Sequence, residues 1–88
     1  MFDLTIVTPK RVIFEDAVER VLIDGDDSEY ELMSFHAKTL GLLREGEIII
    51  NNKVSIPIRT GIVSFNDNKC LILAEEHASE ETKPGPGK

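Results

Sequence analysis

Alternation with a period of two is the feature that most limits the folds open to this chain. Over residues 2–6, Phe2, Leu4 and Ile6 fall on one side, with Asp3 and Thr5 on the other. That is the pattern of a strand with one buried face. Val21 and Ile23 repeat it against Arg20 and Leu22, and Tyr30 and Leu32 repeat it against Glu29 and Glu31. Val54, Ile56 and Ile58 share a face from which Pro57 points away. Proline cannot donate to a ladder, so this run predicts an edge strand. Residues 11–14, "RVIF", make a short strand segment that "ED" is expected to end. Turn-forming clusters separate the runs: Pro9, Gly25 with its flanking aspartates and Ser28, Asn51-Asn52, and the "NDN" of residues 66–68. Asn tolerates the left-handed backbone, so Asn51-Asn52 predicts a two-residue hairpin turn and "NDN" a further hairpin.

Two stretches need separate treatment. "KCLILAE" sets Leu71 and Leu73 opposite Cys70 and Ile72. Apolar residues on both faces suit a strand covered on both sides. "SFHAKTLGLLREG" could pass for a short helix through Leu40, Leu42 and Leu43, but Gly41 interrupts it and Gly46 ends it. It reads as a loop feeding a short strand. Short strands with turn signals about every eight to twelve residues predict a small all-β sandwich or barrel.

At 88 residues the natural count is one domain, expected over residues 1–76. Residues 77–88, with Pro-Gly-Pro-Gly and almost no apolar side chain, read as a disordered or frayed polar C-terminal tail. The net charge of −6, from 16 acidic and 10 basic residues, argues against nucleic acid as a partner, as does the lack of any Lys/Arg run. The N-terminus has no basic region followed by a long apolar run, and no stretch of about 18 apolar residues occurs. The chain therefore reads as soluble and cytosol-facing, with no direct membrane insertion.

Candidate chemistry is sparse. The single cysteine, Cys70, lies within an apolar run and reads as a small buried hydrophobe. One Cys and two distant His cannot build a zinc site. Asp24, Asp26 and Asp27 crowd Gly25, yet "DGDDSE" lacks the spacing and closing Glu of a calcium loop. A solvated turn is the better reading. His36 has no nucleophile motif beside it, since Ser34 is not framed by a Gly-x-Ser-x-Gly elbow. It reads as a polar contact or a loop anchor, and His77 falls in the polar tail. No catalytic, metal-binding or cofactor-binding residue is expected. A small hydrolase or metal enzyme using His36 and the aspartates is the remote rival. A stand-alone β-sandwich protein-interaction module is the nearer one.

The order of the segments carries more. The chain resembles the N-terminal β-sandwich domain of the epsilon subunit of F-type ATP synthases. The resemblance begins in "LTIVTPKRVIFEDAVERVLIDG", continues through "ELMSFHAKTLGLLREGEIII" and closes with "IRTGIVSFNDNKCLILAEEHA". It runs over about residues 2 to 78 without large gaps. His36, Ala37, Leu40, Leu43 and Gly46 stand in step with the family pattern.

What the resemblance implies is a non-catalytic rotor subunit of the central stalk. Its partners would be the gamma subunit, the c-subunit ring and, through the complex, the catalytic head. Its place would be peripheral, on the cytoplasmic face of a bacterial inner membrane. Thr8, His36 and Gly41 match positions that lie against gamma in the family. Ser28, Glu29 and Tyr30 match the turn that approaches the c-ring loops, with Met33 and Phe35 adding apolar contact there. The family often has Gly where this chain has Ser28, Glu31 and Phe35, and Pro where it has Ser34 and Lys38. Those changes alter the conformational preferences of the loop. Many members continue into a C-terminal helical hairpin that can inhibit ATP hydrolysis and in some binds ATP. No amphipathic helical pattern follows the sandwich here, so neither hairpin inhibition nor a nucleotide site is expected.

Overall fold

The computed structural model describes residues 1–26 and 28–76. The polar tail expected over residues 77–88, with His77, and also Asp27 of the acidic turn, lie outside the described residues. Among those described, the chain forms strands β1 (Phe2–Val7), β2 (Val12–Val18), β3 (Arg20–Asp24), β4 (Glu29–Met33), β5 (Thr39–Leu43), β6 (Gly46–Ile50), β7 (Val54–Ile58), β8 (Thr60–Asn66) and β9 (Lys69–Glu75). They build one sheet in the order β2-β1-β9-β8-β5 and a second in the order β4-β3-β6-β7. Every pairing is antiparallel except β1 with β9. The expected all-β sandwich of two mostly antiparallel sheets is the fold the chain adopts.

Period two explains the assembly. The inward residues of the larger sheet include Phe2, Leu4, Ile6, Val63, Phe65, Cys70 and Ile72, all buried. Those of the smaller sheet include Val21, Ile23, Leu32, Ile48, Ile50 and Ile58. The facing sets form one core. Phe2 and Phe65 meet edge-on with ring centroids 5.2 Å apart, a geometry worth about 0.5–1.5 kcal/mol beyond area burial. The chain passes between the sheets at Glu19. Its N–H donates to Asn51 Oδ1 at 2.7 Å, which pins the crossing to the β6–β7 turn. A second join lies at the opposite corner. Asp26 N–H donates to the Leu42 carbonyl at 3.0 Å and Arg44 N–H to the Asp24 carbonyl at 3.1 Å, around a bridge between Gly25 and Leu43.

Three local expectations change. β2 does not end at Glu15-Asp16; these residues pair with Thr5 and Leu4 and the strand runs on to Val18. β2 is an outer strand of its sheet, where charged side chains remain solvated while the backbone still pairs. β9 is central in its sheet, yet Leu71 and Leu73 on its outer side are exposed, so it is covered on one face only. The β6–β7 turn contains Asn51 and Asn52 with φ of 54° and 57°, but Ile50 pairs with Val54, so Lys53 joins the loop. The "NDN" hairpin has Asp67 and Asn68 at φ of 54° and 58°, between paired Asn66 and Lys69. β7 is an edge strand and Pro57 faces out, as its sequence requires.

Candidate functional site

The outer face of the larger sheet is the first notable surface. Strand registers put Val7, Leu73, Ile62 and Leu42 in one row across β1, β9, β8 and β5. Leu71 and Leu40 flank it in the next row. Leu40 is 78% exposed and Leu42 58%, with Ile62, Leu71 and Leu73 also exposed. Single exposed apolar residues need no explanation, but a contiguous row of them marks a contact surface. A groove of about 510 Å³ runs beside the row, bordered by Val7, Thr8, Pro9, Leu42, Ile62 and Leu73.

The second surface is the acidic corner of the smaller sheet. Asp24 and Glu29 stand directly opposite each other on its outer face, with Glu31 two residues further along β4. Like charges opposite each other destabilise a sheet, so this end of the sheet favours a cation. Glu31 lies 3.7 Å from Arg20, while Glu29 is exposed and Asp24 half-buried. Tyr30 points inward and lies over Gly25. A Cβ at Gly25 would meet that ring and would come within 2.9 Å of the Ser28 carbonyl oxygen. The Gly25 N–H donates to the same carbonyl at 2.8 Å, which closes the turn.

The third surface is the β4–β5 turn. His36 N–H donates to the Met33 carbonyl at 3.1 Å, and Phe35, third of the four turn residues, has φ 62°. That is the pattern of a type II turn, in which Pro suits the second position and Gly the third. Ser34 and Phe35 occupy those positions here. Phe35 N–H donates to Asn68 Oδ1 at 2.7 Å, and Asn68 Nδ2 donates to the Met1 carbonyl at 3.0 Å. The Phe35 side chain is 83% exposed.

His36 is the fourth residue of this turn. Its ring meets Phe65 edge-on at 5.8 Å, and Nδ1 lies 2.9 Å from the Ala37 carbonyl oxygen and 3.3 Å from Thr39 Oγ1. The carbonyl only accepts, so Nδ1 carries the proton in that bond. Among the described residues no group of three or more His, Cys, Asp or Glu is arranged to hold a metal ion. Burial pushes the Cys70 thiol up to about 12, which keeps it protonated and unreactive at neutral pH.

The residues singled out in the sequence fall into separate places. Thr8 lies at the end of β1, beside the groove, and its Oγ1 accepts the Lys10 and Arg11 N–H groups at 3.2 Å. Gly41 is in β5, two positions beyond Thr39, and a Cβ there would stand 4.0 Å from the Tyr30 ring. Thr8, His36 and Gly41 thus edge the larger sheet without touching one another. Ser28, Glu29 and Tyr30 gather at the acidic corner. Met33 ends β4, about 13 Å from Glu29 at the rise of a strand, and Phe35 lies in the turn beyond it. The apolar row was missed in the sequence because alternation identifies two faces but does not say which strands neighbour one another. Leu40 and Leu42, which flank Gly41 and share one face of the strand, were its available signal.

A family model described as "ATP synthase, Delta/Epsilon chain, beta-sandwich domain" matches residues 1–80. The chain is 33% identical over 79 residues to the ATP synthase epsilon chain of Sulfurovum sp. (strain NBC37-1), covering 85% of this chain and 62% of that one. It is 30% identical over 79 residues to the ATP synthase epsilon chain of Chlorobium limicola, covering 85% and 90%. The chain thus spans less than two thirds of the length of several curated relatives and most of the length of another. Among solved structures, a chain of the Tetrahymena thermophila mitochondrial ATP synthase central stalk and c-ring shares the fold. Its TM-score is 0.75 at 18% identity, over 98% of this chain and 72% of that one. A chain of the Euglena gracilis mitochondrial ATP synthase does so at 0.73 and 20%, over 83% and 49%.

Proposed function

Because this chain belongs to the ATP synthase delta/epsilon β-sandwich family, we propose that it is a central-stalk rotor subunit that joins gamma to the c-ring and couples ion flow to ATP synthesis. It carries no chemistry of its own. The two sheets form a stiff wedge that resists slip between ring and stalk. The catalytic head is reached only through the complex. The subunit lies peripherally on the cytoplasmic face of a bacterial inner membrane.

The observation that carries this reading is the division of the surface into one apolar face and one acidic corner. The row Val7, Leu73, Ile62 and Leu42 fits a partner held by area, and gamma is that partner, with Thr8, His36 and Gly41 around its border. Covering a large apolar side chain contributes about 1.5–3 kcal/mol. Ser28, Glu29 and Tyr30 meet the polar loops of the ring, where Glu29 pairs with a basic residue. An exposed pair contributes less than about 1 kcal/mol, so the corner sets orientation and the apolar face supplies the affinity. The test is capture of the gamma subunit by the purified chain at low and at physiological salt. Retention at both is expected, because apolar contact is insensitive to screening. Absence of capture at both removes the reading.

A further inference from the structure

We propose that the part of gamma seated on the larger sheet is an amphipathic α-helix, lying across the strands along the apolar groove, with three apolar side chains in it and a basic flank beside Glu75. This rests on the rotor reading above.

Size gives the first constraint. The groove of about 510 Å³ follows the row Val7, Leu73, Ile62 and Leu42, which crosses three strand spacings, about 14 Å. A cavity of about 150 Å³ takes one benzene ring, so this groove takes about three side chains of that bulk. Three side chains at i, i+4 and i+7 of a helix extend over about 10 Å. Three on one face of a strand extend over about 14 Å, so length admits either.

Hydrogen bonding decides between them. Val7, Leu73 and Ile62 lie in β1, β9 and β8, each paired on both sides, so their backbone groups are taken up by the ladders. At the sheet edge, the Leu42 carbonyl already accepts the Asp26 N–H at 3.0 Å. Both hydroxyls at the border are engaged within the chain. Thr8 Oγ1 accepts the Lys10 and Arg11 N–H groups at 3.2 Å, and Thr60 Oγ1 donates to the Leu43 carbonyl at 3.2 Å. A loop or strand pressed onto this surface gives up water from its own N–H and C=O groups and meets no replacement, at about 1–3 kcal/mol for each group left unpaired. A helix pairs those groups internally and needs apolar area alone. Charge fixes the flank. Among the described residues that border the groove, Glu75 is the only charged one, exposed and 4.0 Å from Arg59, the outer limit of an ion pair. A Lys or Arg beside the apolar stripe of the helix suits it.

The experiment puts p-benzoylphenylalanine in place of Thr5, Leu71 or Leu40, positions of the neighbouring row on β1, β9 and β5. Each labelled chain is bound to a catalytic head–gamma complex stripped of its epsilon chain and irradiated. The captured gamma residues are mapped, with thermal unfolding of the labelled chains measured alongside. A helix along the row advances about 1.5 Å per residue, so captures from Thr5 and Leu40 are expected about ten residues apart in gamma, with those from Leu71 between them. A strand along the row gives about four, and a loop gives no constant advance; either result overturns the helix and leaves the rotor reading intact. If the Thr5 label lowers the melting temperature, Leu71 and Leu40 carry the same test, at about six residues against about three. Capture of a second copy of this chain, or no capture while gamma stays bound, also overturns it. Glu75→Gln is expected to weaken binding about two- to threefold at low salt, and unchanged affinity overturns the basic flank. A wild-type chain that fails to bind gamma removes both the helix and the rotor reading.

Discussion

A side chain can oppose the backbone conformation it sits on or be excluded by its surroundings, and the turn regions show both cases. Phe35 occupies the one position of its turn where positive φ is required, with a side chain that disfavours it by roughly 1–2 kcal/mol. Gly25 is the reverse case, a residue whose lack of a side chain is needed internally. Tyr30 fills the space above it and the Ser28 carbonyl closes the turn beneath. Gly25→Ala would push the Tyr30 ring outward and crowd a backbone oxygen that cannot easily retreat. The expected loss is about 1–3 kcal/mol of unfolding free energy, read as a lower denaturant midpoint at unchanged slope. Gly41→Ala serves as the control. A Cβ at Gly41 would stand 3.7 Å from Val63 Cγ1, an ordinary contact, so that variant should remain near wild type.

Strands set which residues act together. β5 contributes little to the core beyond Leu43, but it completes the apolar row at the edge of its sheet. An edge strand with exposed Leu40 and Leu42 is a hazard for aggregation unless something covers it. The join at Gly25 and Leu43 covers part of that edge, and the rotor reading supplies a partner for the face. Leu42→Lys with Ile62→Glu should keep the fold, with stability within about 1 kcal/mol of wild type, because both side chains already meet solvent and opposite charges then face each other across the pair. Binding to the head–gamma complex should fall at least about tenfold, by titration calorimetry. Unchanged affinity would count against the apolar face as the main contact.

At the scale of the whole molecule, the buried core of the described residues contains one titratable side chain, Cys70, between Leu4 and Phe65 on neighbouring strands. Burial raises the thiol from its ordinary 9.0 to about 12. The unfolded chain then loses its proton first as pH rises. Stability from this group is whole below about pH 9 and declines as pH climbs toward about 12, by on the order of 1 kcal/mol per pH unit. Alkaline unfolding reflects more than one group, so the measurement is a difference between wild type and a variant. Above pH 9, wild type should lose stability faster than Cys70→Ala, and the two curves should run parallel below it. A gap that stays constant across pH would show that the thiol is not desolvated in the folded state.

Alternation identified most of the strands and the inward residues of β1, β3 and β4, and the left-handed tolerance of Asn identified the Asn-rich turns. Each of these depends on the period of one strand or on local backbone preference, which the order of residues specifies directly. The ordered run of segments also indicated the family. Tertiary structure decided the neighbours. β2 persists through Glu15 and Asp16 because β1 pairs with it, and Leu71 and Leu73 face outward because no layer covers the larger sheet there. The replacement of Pro and Gly by Ser34 and Phe35 suggested a changed loop, yet the turn keeps its positive φ because Asn68 reaches across from a distant hairpin to hold it. Local sequence specifies which way a side chain alternates. Only the closed sandwich determines what lies across from it, because that depends on contacts between strands far apart in the chain.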